Sequence, residues 1–360
     1  MTIRNTRVTK APTMVQLLLT RHCNLICRYC SSSQFDEKEL EPELSTDEWL
    51  NVIYRLKDIQ VFEVTFSGGE IFLRPDIFQI LDVAVKCKFP KIVVTSNGTL
   101  IDDAVVKQLK SLCIKNVAIS IDGDRESHDL LRGTGSFDKA IKGIEHLEKN
   151  GITPEILFTP LKSNYKTLAG TIETLYLLGI KKLSFNKLHP TGRCKTIYND
   201  VMLDTFTDAP EFFEIIKNLR EKFPGFKISD PPFTYHCYPQ MYSHEGRDLS
   251  KKDKQRLKPC SAGHSSCNVT ASGWVIPCSE FFNLRGGNIR EQDILDIWCN
   301  STNFEKIREL SNLPVDEIPY CRNCDYNIFC NAGCRADAYA IHGDLLAPDP
   351  FCPYYKTLER

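Results

Sequence analysis

Six short apolar runs alternate with helix-like stretches along the first half of the chain. Most are rich in Val, Ile and Phe, and the run 92–94 is apolar throughout, which is typical of a strand covered on both faces. Amphipathic stretches with helix start signals separate them, such as the capping box Ser45-Thr46-Asp47-Glu48. Strands that alternate with helices favour a parallel sheet. The predicted strands are 15–20, 61–67, 91–97, 116–122, 154–160 and 182–188.

The alternation ends after Leu188. Pro224-Gly225 then breaks the chain, and we place a boundary there between domains at residues 1–225 and 226–360. The 360-residue chain has 42% hydrophobic residues and a net charge of -1, so composition predicts a globular protein without affinity for nucleic acid or membrane. We expect a cytoplasmic protein, because no run resembles a signal peptide or a membrane helix. The basic stretch 251–258 is interpreted as a solvated loop.

The sixteen cysteines are the unusual part of the composition. In a reducing compartment, clustered cysteines indicate metal more often than disulfides. Cys23, Cys27 and Cys30 fall in one short loop after the first predicted strand. Three thiolates can hold one inorganic centre and leave a fourth position open, as catalytic sites do. A zinc knuckle that lacks one ligand, or a chance grouping, is the alternative.

The spacing of these cysteines, with Tyr29 before the last, resembles the signature of radical S-adenosylmethionine (SAM) enzymes. The resemblance implies a partial (β/α)6 TIM-type barrel over residues ~13 to ~200. It implies that Cys23, Cys27 and Cys30 bind a 4Fe–4S cluster whose fourth iron binds SAM. In that family an electron from the cluster cleaves SAM to methionine and a 5′-deoxyadenosyl radical, which abstracts hydrogen from the substrate.

Polar motifs stand at the ends of the predicted strands, where barrels of this type place their active sites. Gly68-Gly69-Glu70 resembles the motif whose glutamate and backbone hold the amino group of SAM in the family. Ser120 and Arg132 resemble residues that contact the ribose and the carboxylate of SAM. A guanidinium suits a carboxylate because it can pair bidentately. Read without the resemblance, the glycine pair is a turn and Arg132 a surface residue.

Nine further cysteines lie between residues 260 and 352, and the eight other than Cys299 are enough for two sets of four. Spacing alone leaves zinc and closed 4Fe–4S clusters open. The pattern resembles a SPASM domain, which implies two auxiliary 4Fe–4S clusters that transfer electrons. The first set by resemblance is Cys260, Cys267, Cys278 and Cys334; the second is Cys321, Cys324, Cys330 and Cys352. The spacing to Cys267 varies in the family, and Cys237 or a water is the alternative ligand.

Three branches of the family are candidates for this chain, and each acts on a different class of substrate. The run of serines after Cys30 and the segment from His128 to Gly133 resemble the peptide-modifying maturases of pyrroloquinoline quinone and mycofactocin. Tetrapyrrole enzymes share related motifs. Sulfatase maturases carry aromatic and acidic residues where this chain has Ser31, Ser32 and Ser279. A zinc-scaffolded binding protein is the non-enzyme alternative.

The peptide branch implies a peptide or protein substrate and a reductant such as flavodoxin or ferredoxin. It implies oxidative modification of that peptide, by C–C or C–S bond formation or by decarboxylation. Only some 14 residues precede the first strand. We therefore expect a separate protein to bind the leader of a precursor peptide.

Overall fold

The computed structural model describes residues 8–33, 41–231, 260–313, 317–324, 330 and 332–354. Cys237 and the basic stretch 251–258 lie outside these residues. In the described chain no helix is long and apolar enough to cross a membrane.

One sheet of ten described strands forms the framework, in the order β10-β9-β8-β1-β2-β3-β4-β5-β6-β7. Each pair from β1 to β7 is parallel, which confirms the predicted class and its six strand positions. The strands are β1 Met14–Leu18, β2 Glu63–Ser67, β3 Lys91–Ser96, β4 Val117–Ser120, β5 Glu155–Phe158, β6 Lys182–Phe185, β7 Lys227–Ile228, β8 Ser266–Val269, β9 Trp274–Ile276 and β10 Gly287–Asn288.

Helices connect the parallel strands and cover the sheet with apolar faces. The fully buried Trp49, Ile53 and Leu56 lie on one face of the first helix, as the sequence pattern predicts. The helices are α1 Thr46–Asp58, α2 Ile77–Lys86, α3 Asp103–Ser111, α4 Arg125–Arg132, α5 Ser136–Lys149, α6 Leu168–Leu177, α7 Tyr198–Val201, α8 Asp208–Lys222, α9 Ile294–Asn300, α10 Thr302–Asn312 and α11 Arg335–His342.

The predicted capping box starts α1. The Ser45 hydroxyl accepts a bond from the Glu48 amide at 3.3 Å, and the Glu48 carboxylate accepts one from the Ser45 amide at 2.8 Å. A Ser45→Ala variant is expected to lose about 1 kcal/mol of unfolding free energy, measured by urea denaturation. An unchanged midpoint would mean that the cap adds nothing to stability.

The C-terminal segment extends the barrel sheet instead of forming a separate one. β8 pairs in parallel with β1, and β9 and β10 add antiparallel strands beyond it. On the opposite edge, β7 pairs with β6 at residues 227–228, two residues past the predicted boundary. The boundary itself stays a prediction. The shared sheet fixes the C-terminal cysteines relative to the barrel.

Candidate active site

The three N-terminal cysteines line one cavity of about 480 Å³. Burial raises the pKa of the Cys27 thiol to about 11, while Arg132 lowers it and the nearby Cys30 raises it. Burial also raises the pKa of Cys23. All three thiols face this one cavity, and iron bound there would displace their protons. The donor set therefore fits an iron–sulfur centre with three thiolates and an open position.

The glycine pair after β2 lies directly against the chain that leads into the cysteine loop. The Gly69 amide donates to the Thr20 carbonyl at 2.7 Å, and the Glu70 amide donates to the His22 carbonyl at 2.8 Å. A Cβ atom on Gly69 would lie 2.2 Å from the His22 oxygen, and one on Gly68 would lie 2.6 Å from the Thr20 oxygen. Only glycine permits this approach. Both glycines also line the cavity.

Glu70 lies beneath the cavity and does not line it. Its side chain is fully buried, and its carboxylate accepts bonds from the Ser96 hydroxyl at 2.9 Å and the Asn97 amide at 2.8 Å. A third bond comes from the Phe72 amide at 3.3 Å. Burial raises the pKa of this carboxyl, although these bonds oppose the rise. These bonds let Glu70 position the end of β3, and its expected contact with the amino group of SAM stays a prediction.

Asn97 connects the end of β3 to the cysteine loop. Its side-chain amide donates to Asn24 Oδ1 at 2.9 Å and lies 3.8 Å from Cys23 Sγ. The side-chain oxygen of Asn97, Oδ1, accepts bonds from the amide and the hydroxyl of Thr99. Glu70 thus acts on the cysteine loop through Asn97.

Asp122 and Arg132 form a buried ion pair behind the cysteine loop. Asp122 has no exposed surface and accepts bonds from Arg132 Nε, from the Tyr29 hydroxyl and, at 2.8 Å, from the Thr159 amide. Arg132 Nη2 also donates to the Tyr29 hydroxyl at 2.6 Å. Arg132 and Ser120 both line the cavity, as expected of residues that contact SAM. Those contacts stay predictions.

The turn after β6 holds the cysteine loop from the other side, a role that the sequence did not reveal. Arg193 Nε donates to the Cys27 carbonyl at 2.9 Å, and its amide donates to Ser33 Oγ at 2.7 Å. A Cβ atom on Gly192 would lie 2.5 Å from the Cys30 carbonyl oxygen. Gly192 has φ 55°, which also favours glycine. The last strand of the barrel thereby supports the loop that follows the first.

An Arg193→Gln variant is expected to loosen the cysteine loop. The lost bond from a charged donor is worth about 1.5–3 kcal/mol, so amide exchange in residues 23–33 of metal-free protein should speed up at least ~10-fold. Arg55→Gln is the control, since Arg55 forms only an exposed 3.5 Å ion pair with Asp293. Equal exchange in both variants would contradict this role.

The C-terminal cysteines separate into two groups. Cys278 and Cys334 pack against the same apolar cluster. Burial raises the pKa of Cys278 most, and the charges of Cys260, Glu280 and Cys334 raise it further. In the second group, burial raises the pKa of Cys321 to about 11, with contributions from Cys352 and Cys324. Burial also raises the pKa of Cys330, and the charges of Asp349, Cys352 and Cys321 raise it further. With one exception, these are the cysteines that the resemblance assigns to two ligand sets, and the ligation itself stays a prediction.

The exception is Cys267. It lies in β8 opposite Val15 of β1, is 1% exposed and packs in the main hydrophobic core. Burial raises its pKa to about 12, and the one charged group that acts on it is Arg308, not a cysteine. Its register beside the buried Val15 places the side chain in that core, which differs from the surroundings expected of a ligand; the ligand role stays a prediction.

Comparison with known proteins places this site in a family. The Radical SAM superfamily model matches residues 17–175, and the SPASM model, an iron–sulfur cluster-binding domain, matches residues 260–325. AdoMet-dependent heme synthase from Methanosarcina barkeri (strain Fusaro / DSM 804) is 32% identical over 352 residues, which cover 96% of this chain and 98% of that protein. The chain is a radical SAM enzyme with a SPASM domain. It binds a 4Fe–4S cluster and SAM in the barrel, and the SPASM domain binds auxiliary iron–sulfur clusters.

Two further proteins are similar to this radical SAM enzyme. PqqA peptide cyclase from Granulibacter bethesdensis (strain ATCC BAA-1260 / CGDNIH1) is 26% identical and covers 95% of this chain and 88% of that one. The crystal structure of Streptococcus suis SuiB bound to S-adenosylmethionine has a TM-score of 0.77 at 19% identity, over 96% of this chain and 78% of that one. The SuiB structure shares the fold.

The radical SAM cavity also has side chains that sequence reasoning did not assign to it. Lys187 and His189 follow β6, and Glu280 follows Cys278; all three line the cavity. Their position at the end of a strand, or beside an auxiliary cysteine, is the signal that could have found them. They bring the SPASM domain into contact with the barrel's active site.

Proposed function

We propose that this enzyme oxidatively modifies a ribosomally made peptide, by C–C or C–S bond formation or by decarboxylation. Its likeness to PqqA peptide cyclase over 95% of the chain supports a peptide substrate. The serine run after Cys30 and the segment that ends at Arg132-Gly133 support the same branch.

The character of the cavity wall carries this proposal. In the described part of the chain its apolar lining comes from Leu18, Leu25, Ile26, Leu188 and the ring of Tyr29, with no Phe or Trp. The remaining lining is mostly serine, threonine, asparagine and charged side chains. Such a wall offers hydrogen bonds to peptide amides, whereas a flat macrocycle needs broad apolar faces.

The protein's part in the reaction is to hold and orient. Cys23, Cys27 and Cys30 would hold the barrel cluster, and Gly68, Gly69, Ser120 and Arg132 would surround SAM, with Glu70 acting through Asn97. When bound, the cluster and SAM supply hydrogen-atom abstraction from the substrate. The second auxiliary cluster would be held by Cys321, Cys324, Cys330 and Cys352. Three thiolates of the first would come from Cys260, Cys278 and Cys334.

The proposal extends to partners and location. A separate protein would bind the leader of the precursor peptide, and flavodoxin or ferredoxin would supply electrons. We place the enzyme in the cytoplasm, because clustered cysteines and reducible iron–sulfur centres persist in a reducing compartment.

A tetrapyrrole substrate is the second candidate. The 32% identity to a heme synthase over nearly all of both chains favours it. Arg193 in the cavity wall is a cation of the kind that would pair with a propionate group.

Deuterium transfer separates the two candidates. Reconstituted enzyme is incubated with SAM, dithionite and either short peptides from cells grown on deuterated amino acids or iron coproporphyrin deuterated on its propionates. We expect deuterium in 5′-deoxyadenosine from the peptides alone. Deuterium from the porphyrin alone would replace the peptide proposal by the tetrapyrrole one.

A further inference from the structure

The first auxiliary site lacks one ligand among the described residues. Cys260, Cys278 and Cys334 lie together, but Cys267 faces the barrel core, as described above. Closed iron–sulfur clusters take four protein ligands. A closed cluster here would take its fourth ligand from another residue beside these three thiols.

His189 lies at that position. A ring nitrogen of His189, the Cys334 thiol and an Asp337 carboxylate oxygen all lie within 4.8 Å of one another. His189 leaves the barrel after β6 and lines the active-site cavity, whereas Cys334 directly precedes α11 in the SPASM domain. The histidine therefore joins the two parts of the protein at the auxiliary site.

A buried carboxylate fixes the orientation of His189. Its Nδ1 lies 2.7 Å from Asp337 Oδ1, and Asp337 has no exposed surface. Lys187 Nζ pairs with Asp337 Oδ2 at 2.6 Å and with Asp349 Oδ2 at 3.0 Å. Asp349 in turn accepts a bond from the Cys334 amide at 2.6 Å. The same network thus positions the histidine and the cysteine.

This arrangement is the one that metal-bound histidines use. A ligating imidazole almost always donates its other N–H to a carboxylate, which fixes the tautomer and raises the basicity of the ligand nitrogen. With Nδ1 engaged by Asp337, Nε2 is the nitrogen left for iron. Histidine is also an established ligand of iron–sulfur clusters, where it raises the reduction potential relative to thiolate.

We propose that His189 is the fourth ligand of the first auxiliary cluster, through Nε2, with Asp337 as its positioning residue. The cluster would then be held by Cys260, Cys278, Cys334 and His189. It would reduce more easily than an all-cysteine cluster, and its ligand would form part of the cavity wall. The ligation is independent of which substrate the enzyme uses.

Pulsed EPR on a variant without the barrel cluster tests this ligation. Cys23, Cys27 and Cys30 are all replaced by alanine, so that nitrogen from SAM or its cluster cannot contribute. After anaerobic reconstitution and reduction, we expect a strong ¹⁴N hyperfine coupling from one auxiliary cluster. Adding His189→Cys should remove the coupling, keep the iron content and shift one midpoint potential to a lower value.

Cys267→Ser and Cys237→Ser serve as matched controls in the same background, and both should keep the ¹⁴N coupling and the iron content. The proposal is overturned if the parent shows no such coupling or if His189→Cys retains it. It is equally overturned if Cys237→Ser loses iron from one cluster, because Cys237 would then be the fourth ligand. Asp337→Asn should weaken the coupling without removing it.

Discussion

A Cys30→Ala variant is expected to lose SAM cleavage, with 5′-deoxyadenosine release at least ~100-fold below the parent enzyme. Substitutions of residues that support a metal ligand already cost about 10–100-fold in metal affinity or activity. Among the described residues, Cys30 is one of three cysteines that line the barrel cavity. Removing it leaves two protein ligands for the cluster. The measurement is 5′-deoxyadenosine formed per chain under dithionite, by anaerobic chromatography.

Cys299→Ala is the matched control, because Cys299 is an exposed cysteine outside both predicted auxiliary ligand sets. It should keep the parent's activity and iron content. Continued cleavage by Cys30→Ala at the parent's rate would show that the SAM cluster is held elsewhere.

An Asp122→Asn variant is expected to lose about 3–5 kcal/mol of unfolding free energy. The substitution leaves Arg132, whose side chain is 11% exposed, without its carboxylate partner. An unpaired buried charge carries a cost of this size. Guanidinium denaturation of the metal-free protein measures it, so that cluster loss does not enter the result.

Asp138→Asn is the control for Asp122→Asn. Asp138 pairs with Arg125 on the surface, where both side chains are largely exposed, so its removal should cost less than about 1 kcal/mol. Equal losses in the two variants would mean that the Asp122–Arg132 pair is not held in a low-dielectric environment.

The parallel sheet was predictable because its signals are local. Apolar runs, the capping box at Ser45 and the helical apolar face of Trp49 each depend on a few neighbouring residues. Beyond residue 225 the described strands are only two to four residues long. They are too short to show the alternation of apolar and polar residues that predicts a strand. That β8 joins the barrel sheet beside β1 depends on a contact across some 250 residues, which no local pattern encodes.

The site was predictable where the type of residue alone determines what it can bind or contact. Three clustered cysteines indicate a metal-binding loop, and the glycine pair indicates close backbone contact. The roles of Arg193 and Glu70 depend on three-dimensional contacts instead: one donates to a carbonyl 166 residues away, and the other is buried beneath Asn97. The position of Cys267 depends on the same kind of contact, because its pairing beside Val15 places it in the core and no cysteine spacing shows that.

The metal and sulfide content of anaerobically reconstituted protein, with 5′-deoxyadenosine release assayed in the same sample, tests the central claim most directly. The account predicts about twelve irons per chain with matching sulfide, no zinc, and SAM cleavage. About four irons with zinc would contradict the auxiliary clusters. Protein with neither iron nor cleavage would contradict the account as a whole.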